Sequence, residues 1–191
     1  IPKKNIIDIN GKPLISFAIE ASIKSDSHET WVSTDDEEIA RISRENGAKV
    51  IKRPKEISTD NATSESALLH FTEEIKDFDI LIFLQATCPF VEYSDINKAL
   101  VLIKKYDSVI SVSRLDQFIW SDSGPMYDTN NRERRQSREQ TYVETGSIFV
   151  TTRQGLIKSK NRINGSVGFV KVPKWRSIDI DTYEDIEFVR K

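Results

Sequence analysis

Ile80-Leu81-Ile82-Phe83-Leu84 runs without interruption into Gln85-Ala86-Thr87-Cys88-Pro89. Five consecutive apolar residues with no polar alternation predict a strand covered on both faces, the pattern of a central parallel strand in mid-sheet. Ligands of open α/β sheets collect beyond the carboxyl ends of such strands, where Gln85 and Thr87 stand.

The sequence on either side of this run alternates between helix and strand patterns. Gly11-Lys12-Pro13 is a turn before a helix whose apolar positions Leu14, Ile15, Ala18, Ile19 and Ala21 share one face. Trp31-Val32-Ser33 predicts a short strand, and Asp35 and Glu38 have capping-box spacing for a helix that ends at Asn46-Gly47. Another strand over 48–51 leads to Arg53-Pro54, and a polar surface loop over 56–66 feeds a helix over 67–75. Ser94 or Asp95 can cap a helix reaching Lys105, and residues 108–113 return as a strand. The alternation predicts a three-layer α/β fold, and 191 residues suit a single domain.

The pattern breaks over residues 114–140, where Trp120, Gly124-Pro125, Tyr127 and the arginine-rich run 131–138 are too polar for a core element. This stretch is expected to leave the domain and return. Strands over 146–150 and 167–172, with a helix over 154–158 between them, then bring the chain to Ser177-Ile178-Asp179-Ile180-Asp181. In an extended segment Ile178 and Ile180 would face the core while Asp179 and Asp181 share the opposite face. Two adjacent carboxylates suit a hard divalent cation such as Mg2+, which also accepts substrate phosphates. Asp181-Thr182-Tyr183-Glu184 is equally a capping-box pattern for a helix through Phe188, so metal ligation and helix capping both remain open.

Composition narrows the function classes. With 28 basic and 30 acidic residues the net charge is -2, which gives no overall attraction to nucleic acid or an anionic membrane. A lone cysteine, Cys88, excludes an internal disulfide, and no apolar run approaches the ~20 residues of a membrane span. Buried cysteine is usually a small hydrophobe, and His28 and His70 fit no catalytic pattern.

Several segments together resemble the CMP-sialic acid synthetases, the acylneuraminate cytidylyltransferases. They are Ile1-Pro-Lys-Lys-Asn5, Val32-Ser-Thr-Asp35, Arg53-Pro54, Leu84-Gln-Ala-Thr-Cys-Pro89, Arg134-Arg-Gln136, Glu144-Thr-Gly-Ser147 and Ser177-Ile-Asp-Ile-Asp181, in the family's order across nearly the whole chain. The resemblance implies a Rossmann-like nucleotidyltransferase fold with a mainly parallel sheet, the 114–140 stretch being a projecting segment for a homodimer. It also implies transfer of CMP from CTP to the anomeric hydroxyl of a sialic-acid-like nonulosonic acid, in the cytoplasm and without nucleic acid or membrane. In the family an upstream strand and a loop with an arginine, Ser-Lys and Gly wrap the triphosphate, and this sequence opens just after them.

Carried onto this sequence, the resemblance assigns Asp179 and Asp181 to Mg2+ and makes Lys4 a phosphate cation, these three being the catalytic set. Lys4, Asn5, Arg53, Ser64 and Thr87 are assigned to the nucleotide, and Gln85, Arg135, Gln136 and Ser147 to the sugar. A guanidinium such as Arg135 suits a sugar carboxylate. Cys88 stands where the family often has serine, Thr145 where asparagine is frequent, and Ser137 where vertebrate enzymes have aspartate. Two alternatives stay open, an enzyme of the Kdo-activating branch and a non-catalytic sugar-nucleotide-binding protein of the same fold.

Overall fold

A computed structural model describes residues 1–59 and 61–191; Asp60, inside the loop expected over 56–66, lies outside the described residues. A 3-10 turn at Lys4–Ile6 precedes a two-stranded ribbon of β1 (Asp8–Ile9) and β2 (Lys12–Pro13). Then come α1 (Leu14–Lys24), β3 (Trp31–Thr34), α2 (Glu37–Glu45), β4 (Lys49–Lys52), α3 (Ser64–Glu74), β5 (Ile80–Leu84), α4 (Tyr93–Leu102) and β6 (Ser108–Leu115). A minor hairpin of β7 (Trp120–Ser121) and β8 (Gly124–Pro125) is followed by β9 (Thr141–Thr152), α5 (Arg153–Ser159), β10 (Val167–Lys171) and α6 (Tyr183–Arg190).

The α/β architecture expected from the alternation is present, built on a mixed sheet. The main sheet has the order β10-β6-β9-β5, with β10 parallel to β6 and β9 antiparallel to both of its neighbours. β3 and β4 form a separate parallel pair. On one face of the main sheet Val109, Ile148, Val150 and Val170 pack against Ala21 of α1 and Ile96 and Ala99 of α4. On the other face Leu81 packs against Leu68 of α3 and Leu156 of α5. Helices on both faces give the three layers.

The apolar run of β5 predicts a mid-sheet parallel strand; among the described residues β5 comes last in the four-strand order and its partner is β9, antiparallel to it. Ile82 and Leu84 still pack into one core cluster while Leu81 and Phe83 pack into another. An apolar run reports layers above and below a strand; it carries no information about its hydrogen-bonded neighbours.

The helix starts also differ locally. Asp36, not Asp35, caps α2, its Oδ1 accepting from the N–H groups of Glu38 at 2.7 Å and Ile39 at 3.0 Å. α4 starts at Tyr93 after Glu92, so neither Ser94 nor Asp95 is its cap, and Asp95 is buried within the helix. Ser64 opens α3 after the Thr63 cap, so it belongs to a helix and not to the preceding loop.

The most consequential difference is at α6. Its cap is Thr182, which shares a capping box with Asp185: the Asp185 N–H donates to Thr182 Oγ1 at 3.2 Å and the Thr182 N–H to Asp185 Oδ2 at 2.7 Å. Of the two alternatives for Asp181, capping is therefore removed. The Thr182 hydroxyl, then the N–H groups of Thr182 and Asp181, hold the Asp185 carboxyl below the usual aspartate range.

Residues 116–140 leave the sheet between the paired ends Leu115 and Thr141, so Arg114 itself still belongs to β6. Phe118 lies 4.4 Å from Tyr127 between ring centroids, with the guanidiniums of Arg132 and Arg138 over it at 4.2 and 4.3 Å. Stacked cations and π faces take the place of a core in this segment.

Thr182→Ala should lower unfolding free energy by about 1 kcal/mol, whereas Asp181→Ala should cost less than about half of that. Because Asp185 is depressed in the folded state, the cap's contribution is complete above the ordinary value of 3.8 and is lost as pH falls below it. Urea unfolding at neutral and acid pH measures both, and equal costs for the two variants would restore Asp181 as the cap.

Candidate active site

Residues 177–181 belong to no strand, yet the side-chain alternation expected of them holds. Ile180 is fully buried and Ile178 packs in the same cluster with Leu14, Ile186 and Val189. The backbone is docked by one hydrogen bond, the Ile180 N–H donating to the Thr87 carbonyl at 3.0 Å. Asp179 and Asp181 are thereby brought to the loop that leaves β5.

Lys4 arrives from the N-terminal 3-10 turn, its Nζ donating to Asp181 Oδ1 at 2.7 Å. Asp181 is largely exposed, so the pair is a screened one that a more highly charged anion can displace. Asp179 is half-buried, and its Oδ1 is buried with no hydrogen-bond partner. A buried carboxyl oxygen left without a partner costs free energy, which a ligand at that position would recover. A hard divalent cation fits, because Mg2+ takes one or two protein carboxylates and fills its remaining positions with phosphate and water. No group of three His, Cys, Asp or Glu that could hold a metal occurs among the described residues, so such an ion would draw its other ligands from elsewhere.

The opposite wall comes from β9. Between the pairs Ile110–Phe149 and Val112–Glu144 the ladder slips, and Gly146 sits in the bulge at φ +71. A Cβ there would lie 3.8 Å from Asp179 Oδ2. The hydroxyl of Ser111 lies 2.6 Å from that of Thr145 and 3.0 Å from that of Ser147, and the last two are 2.8 Å apart. These three side chains are buried, and their mutual bonds take the place of the ladder interrupted at the bulge.

Cys88 is 1% exposed. Burial, followed by the charges of Asp179 and Asp181, pushes its thiol up to about 12 against the opposing charge of Lys4. It is a small apolar filler under the acids and not a nucleophile, as its residue type suggested.

The structure thus brings Lys4, Asp179, Asp181 and Thr87 together. Thr87 is buried, with its Oγ1 unpartnered, and Asn5 is half-buried in the turn that carries Lys4. Gln85 joins through its N–H, which donates to the Ser147 carbonyl at 3.2 Å. Ser147 itself is 4% exposed with its hydroxyl engaged in the bulge, so its side chain lies inside the sheet and not on an open surface. Arg53 follows β4, half-buried, with its N–H donating to the Thr34 carbonyl at 3.0 Å and its Nε without a partner.

Arg135 and Gln136 lie apart from the acids, lining a cleft of about 470 Å3 with Arg114, Arg138 and Gln140. Arg135 pairs with Asp116, which also accepts from Arg114 Nε at 2.7 Å. Arg114, Arg138 and Asp116 were not singled out in the sequence; the local signal was the density of arginines. The hydroxyl cluster was missed too, although serines at 108, 111 and 113 in an otherwise apolar strand mark buried polar positions.

Residues 1–186 match the family described as cytidylyltransferase. The chain belongs to the cytidylyltransferase family. It is 33% identical to N-acylneuraminate cytidylyltransferase B of Danio rerio over 95% of its own length and 45% of that protein's. It thus spans about half the length of that relative. It is 27% identical to the pseudaminic acid cytidylyltransferase of Campylobacter jejuni, covering 100% of this chain and 89% of that one. Among solved structures, a CMP:2-keto-3-deoxy-manno-octonic acid synthetase complexed with CTP superposes with a TM-score of 0.77 at 18% identity, over 100% of this chain and 91% of the other, which shows a shared fold.

The native protein should resist alkylation at Cys88 at mildly alkaline pH and be modified fully once unfolded in denaturant. Intact-mass spectrometry reads this directly, and rapid modification of the native protein would contradict the burial of the thiol.

Proposed function

We propose that this chain transfers CMP from CTP to the anomeric C2 hydroxyl of a sialic-acid-like nonulosonic acid, giving the CMP-sugar and pyrophosphate. The observation that carries the reading is the unpartnered Asp179 Oδ1 beside Asp181 and Lys4, at the loop that follows β5 and begins with Gln85. Membership of the cytidylyltransferase family supports the nucleotide, and relatives named for sialic and pseudaminic acids support the sugar class.

In this reaction the sugar oxygen forms a bond to the α-phosphorus, the hydroxyl proton passes to solvent water, and the bond from the α-phosphorus to the bridging oxygen of pyrophosphate breaks. Negative charge on phosphate oxygens is the main barrier, so positioning and cations do the catalysis and no covalent enzyme intermediate is needed. Asp179 and Asp181 would hold Mg2+, which would supply positive charge for the phosphate oxygens. Lys4 exchanges its contact with Asp181 for a phosphate oxygen as CTP arrives. Thr87, Asn5, Ser64 and Arg53 contact the nucleotide, with the free Nε of Arg53 as one donor. Gly146 leaves the space beside Asp179 without a side chain.

The sugar carboxylate pairs with Arg135, with Gln136 beside it, in the arginine-lined cleft, where Asp116 holds the guanidinium until substrate replaces it. Gln85 contacts the sugar, and Ser147 acts on it through the backbone it stiffens, since its carbonyl accepts from the Gln85 N–H.

The 114–140 segment serves as the contact with a second copy in a homodimer, supported by the exposure of Trp120 at 60% and Met126 at 70%. No helix among the described residues is long and apolar enough to cross a membrane. The enzyme works in the cytoplasm, where CTP is made.

Pyrophosphate release from CTP, Mg2+ and a panel of nonulosonic acids tests the proposal. One sugar should support turnover, and Asp179→Asn or Asp181→Asn should lower kcat by about 100-fold or more, equivalent to about 2.7 kcal/mol. CTP binding with no pyrophosphate from any sugar, Kdo included, would favour a non-catalytic sugar-nucleotide-binding protein.

A further inference from the structure

Asp179 and Asp181 lie outside any sheet ladder, so other contacts must hold them against the loop after β5. The two segments that meet there are fastened at three levels. The Ile180 N–H donates to the Thr87 carbonyl at 3.0 Å. Phe90 and Trp175 pack edge to face with centroids 5.7 Å apart. Beyond them Arg176 reaches the start of α4, its Nη1 donating to Asp95 Oδ2 at 2.5 Å and lying 3.0 Å from Glu92 Oε2. Lys98 Nζ donates to the other oxygen of Asp95 at 2.8 Å.

Arg176 is 8% exposed and Asp95 1% exposed, so this is an interior ion pair. An interior pair gives little net stability against an apolar replacement, yet it fixes geometry because neither charge can be left unpaired. Only Ser177 and Ile178 separate Arg176 from Asp179. Glu92 and Asp95 likewise follow closely on Thr87 and Cys88, along the same stretch of chain. A guanidinium fixed between two acids is therefore a strut between the segment with the carboxylates and the loop they must face.

We propose that Arg176, held by Asp95 and Glu92, is a positioning residue that sets where the Asp179 and Asp181 carboxylates stand relative to Thr87. It thereby tunes the divalent-cation affinity and phosphate alignment of the site. The inference rests on the functional reading above and deepens it. With its guanidinium engaged by Asp95 and Glu92, Arg176 is assigned a role through Asp179 and Asp181 and no contact of its own with substrate or cation.

The test compares wild type, Arg176→Gln and Arg176→Lys in the full chain by three measurements. These are amide hydrogen exchange at Ile180 and Val150, Mn2+ affinity by electron paramagnetic resonance, and steady-state kinetics. Val150 is fully buried in the main sheet and reports global stability. In Arg176→Gln, Val150 should stay protected while Ile180 exchanges about tenfold faster or more. The Mn2+ dissociation constant should rise about tenfold and kcat fall about 10- to 100-fold, with KM for CTP changing less. Arg176→Lys keeps the buried charge and the fold, and should restore part of each loss.

Ile180 exchange and Mn2+ affinity within about twofold of wild type in both variants would overturn the proposal. Equal loosening of Ile180 and Val150 would also overturn it, leaving Arg176 a general stabiliser. A wild-type chain that releases no pyrophosphate with any sugar defeats the functional reading instead, and the exchange and Mn2+ data still decide the role of Arg176.

Discussion

The hydrogen bond from the Ile180 N–H to the Thr87 carbonyl, seated over the fully buried Ile180 side chain, is the constraint on which the candidate site depends. It joins two parts of the chain far apart in sequence without a strand ladder. Burial of Ile180 in the cluster with Leu14 and Ile186 drives the docking, since apolar area removed from water is the largest favourable term available there. The hydrogen bond sets the register. With Ile180 inward, Asp179 and Asp181 must turn toward the loop at the end of β5.

The surroundings of those acids leave the buried Asp179 Oδ1 without a hydrogen-bond partner. Cys88 beneath them stays a neutral thiol, and Gly146 beside them adds no side chain. Lys4 neutralises Asp181 from the solvent side, through a contact exposed enough to be exchanged. The bulge in β9 that carries Gly146 would cost several backbone hydrogen bonds, and the hydroxyls of Ser111, Thr145 and Ser147 supply partners in their place. A buried polar cluster of this kind is favourable only when every member is satisfied, which also makes it rigid.

Much of this was legible in the chain, and the limits have physical causes. The period-two alternation at Ile178–Asp181 correctly separated the core-facing isoleucines from the two aspartates even though no strand forms, because alternation follows from extended backbone and not from pairing. The cap of α6 was displaced by one residue, since Asp181 and Thr182 are both good caps and only the folded backbone decides which is used. The apolar run of β5 correctly announced two covering layers, but its antiparallel pairing with β9 depends on strand order, which composition does not encode. Arg176 carried no signal at all. Its partners Glu92 and Asp95 lie far away in sequence, and nothing local distinguishes a buried arginine from an exposed one. The family was legible from ordered motifs across the chain, whereas the cleft lined by Arg135 and Gln136, apart from the paired aspartates, had no local signal beyond the density of arginines.

In the proposed function the Asp179 and Asp181 carboxylates are where a divalent cation would meet the triphosphate. A crystal structure of the chain with CTP and Mn2+, read by anomalous scattering, tests this most directly. The account predicts a peak within about 2.5 Å of an oxygen of both Asp179 and Asp181, with Lys4 moved from Asp181 to a phosphate oxygen. A peak away from both carboxylates, or an intact Lys4–Asp181 contact with CTP bound, would contradict it.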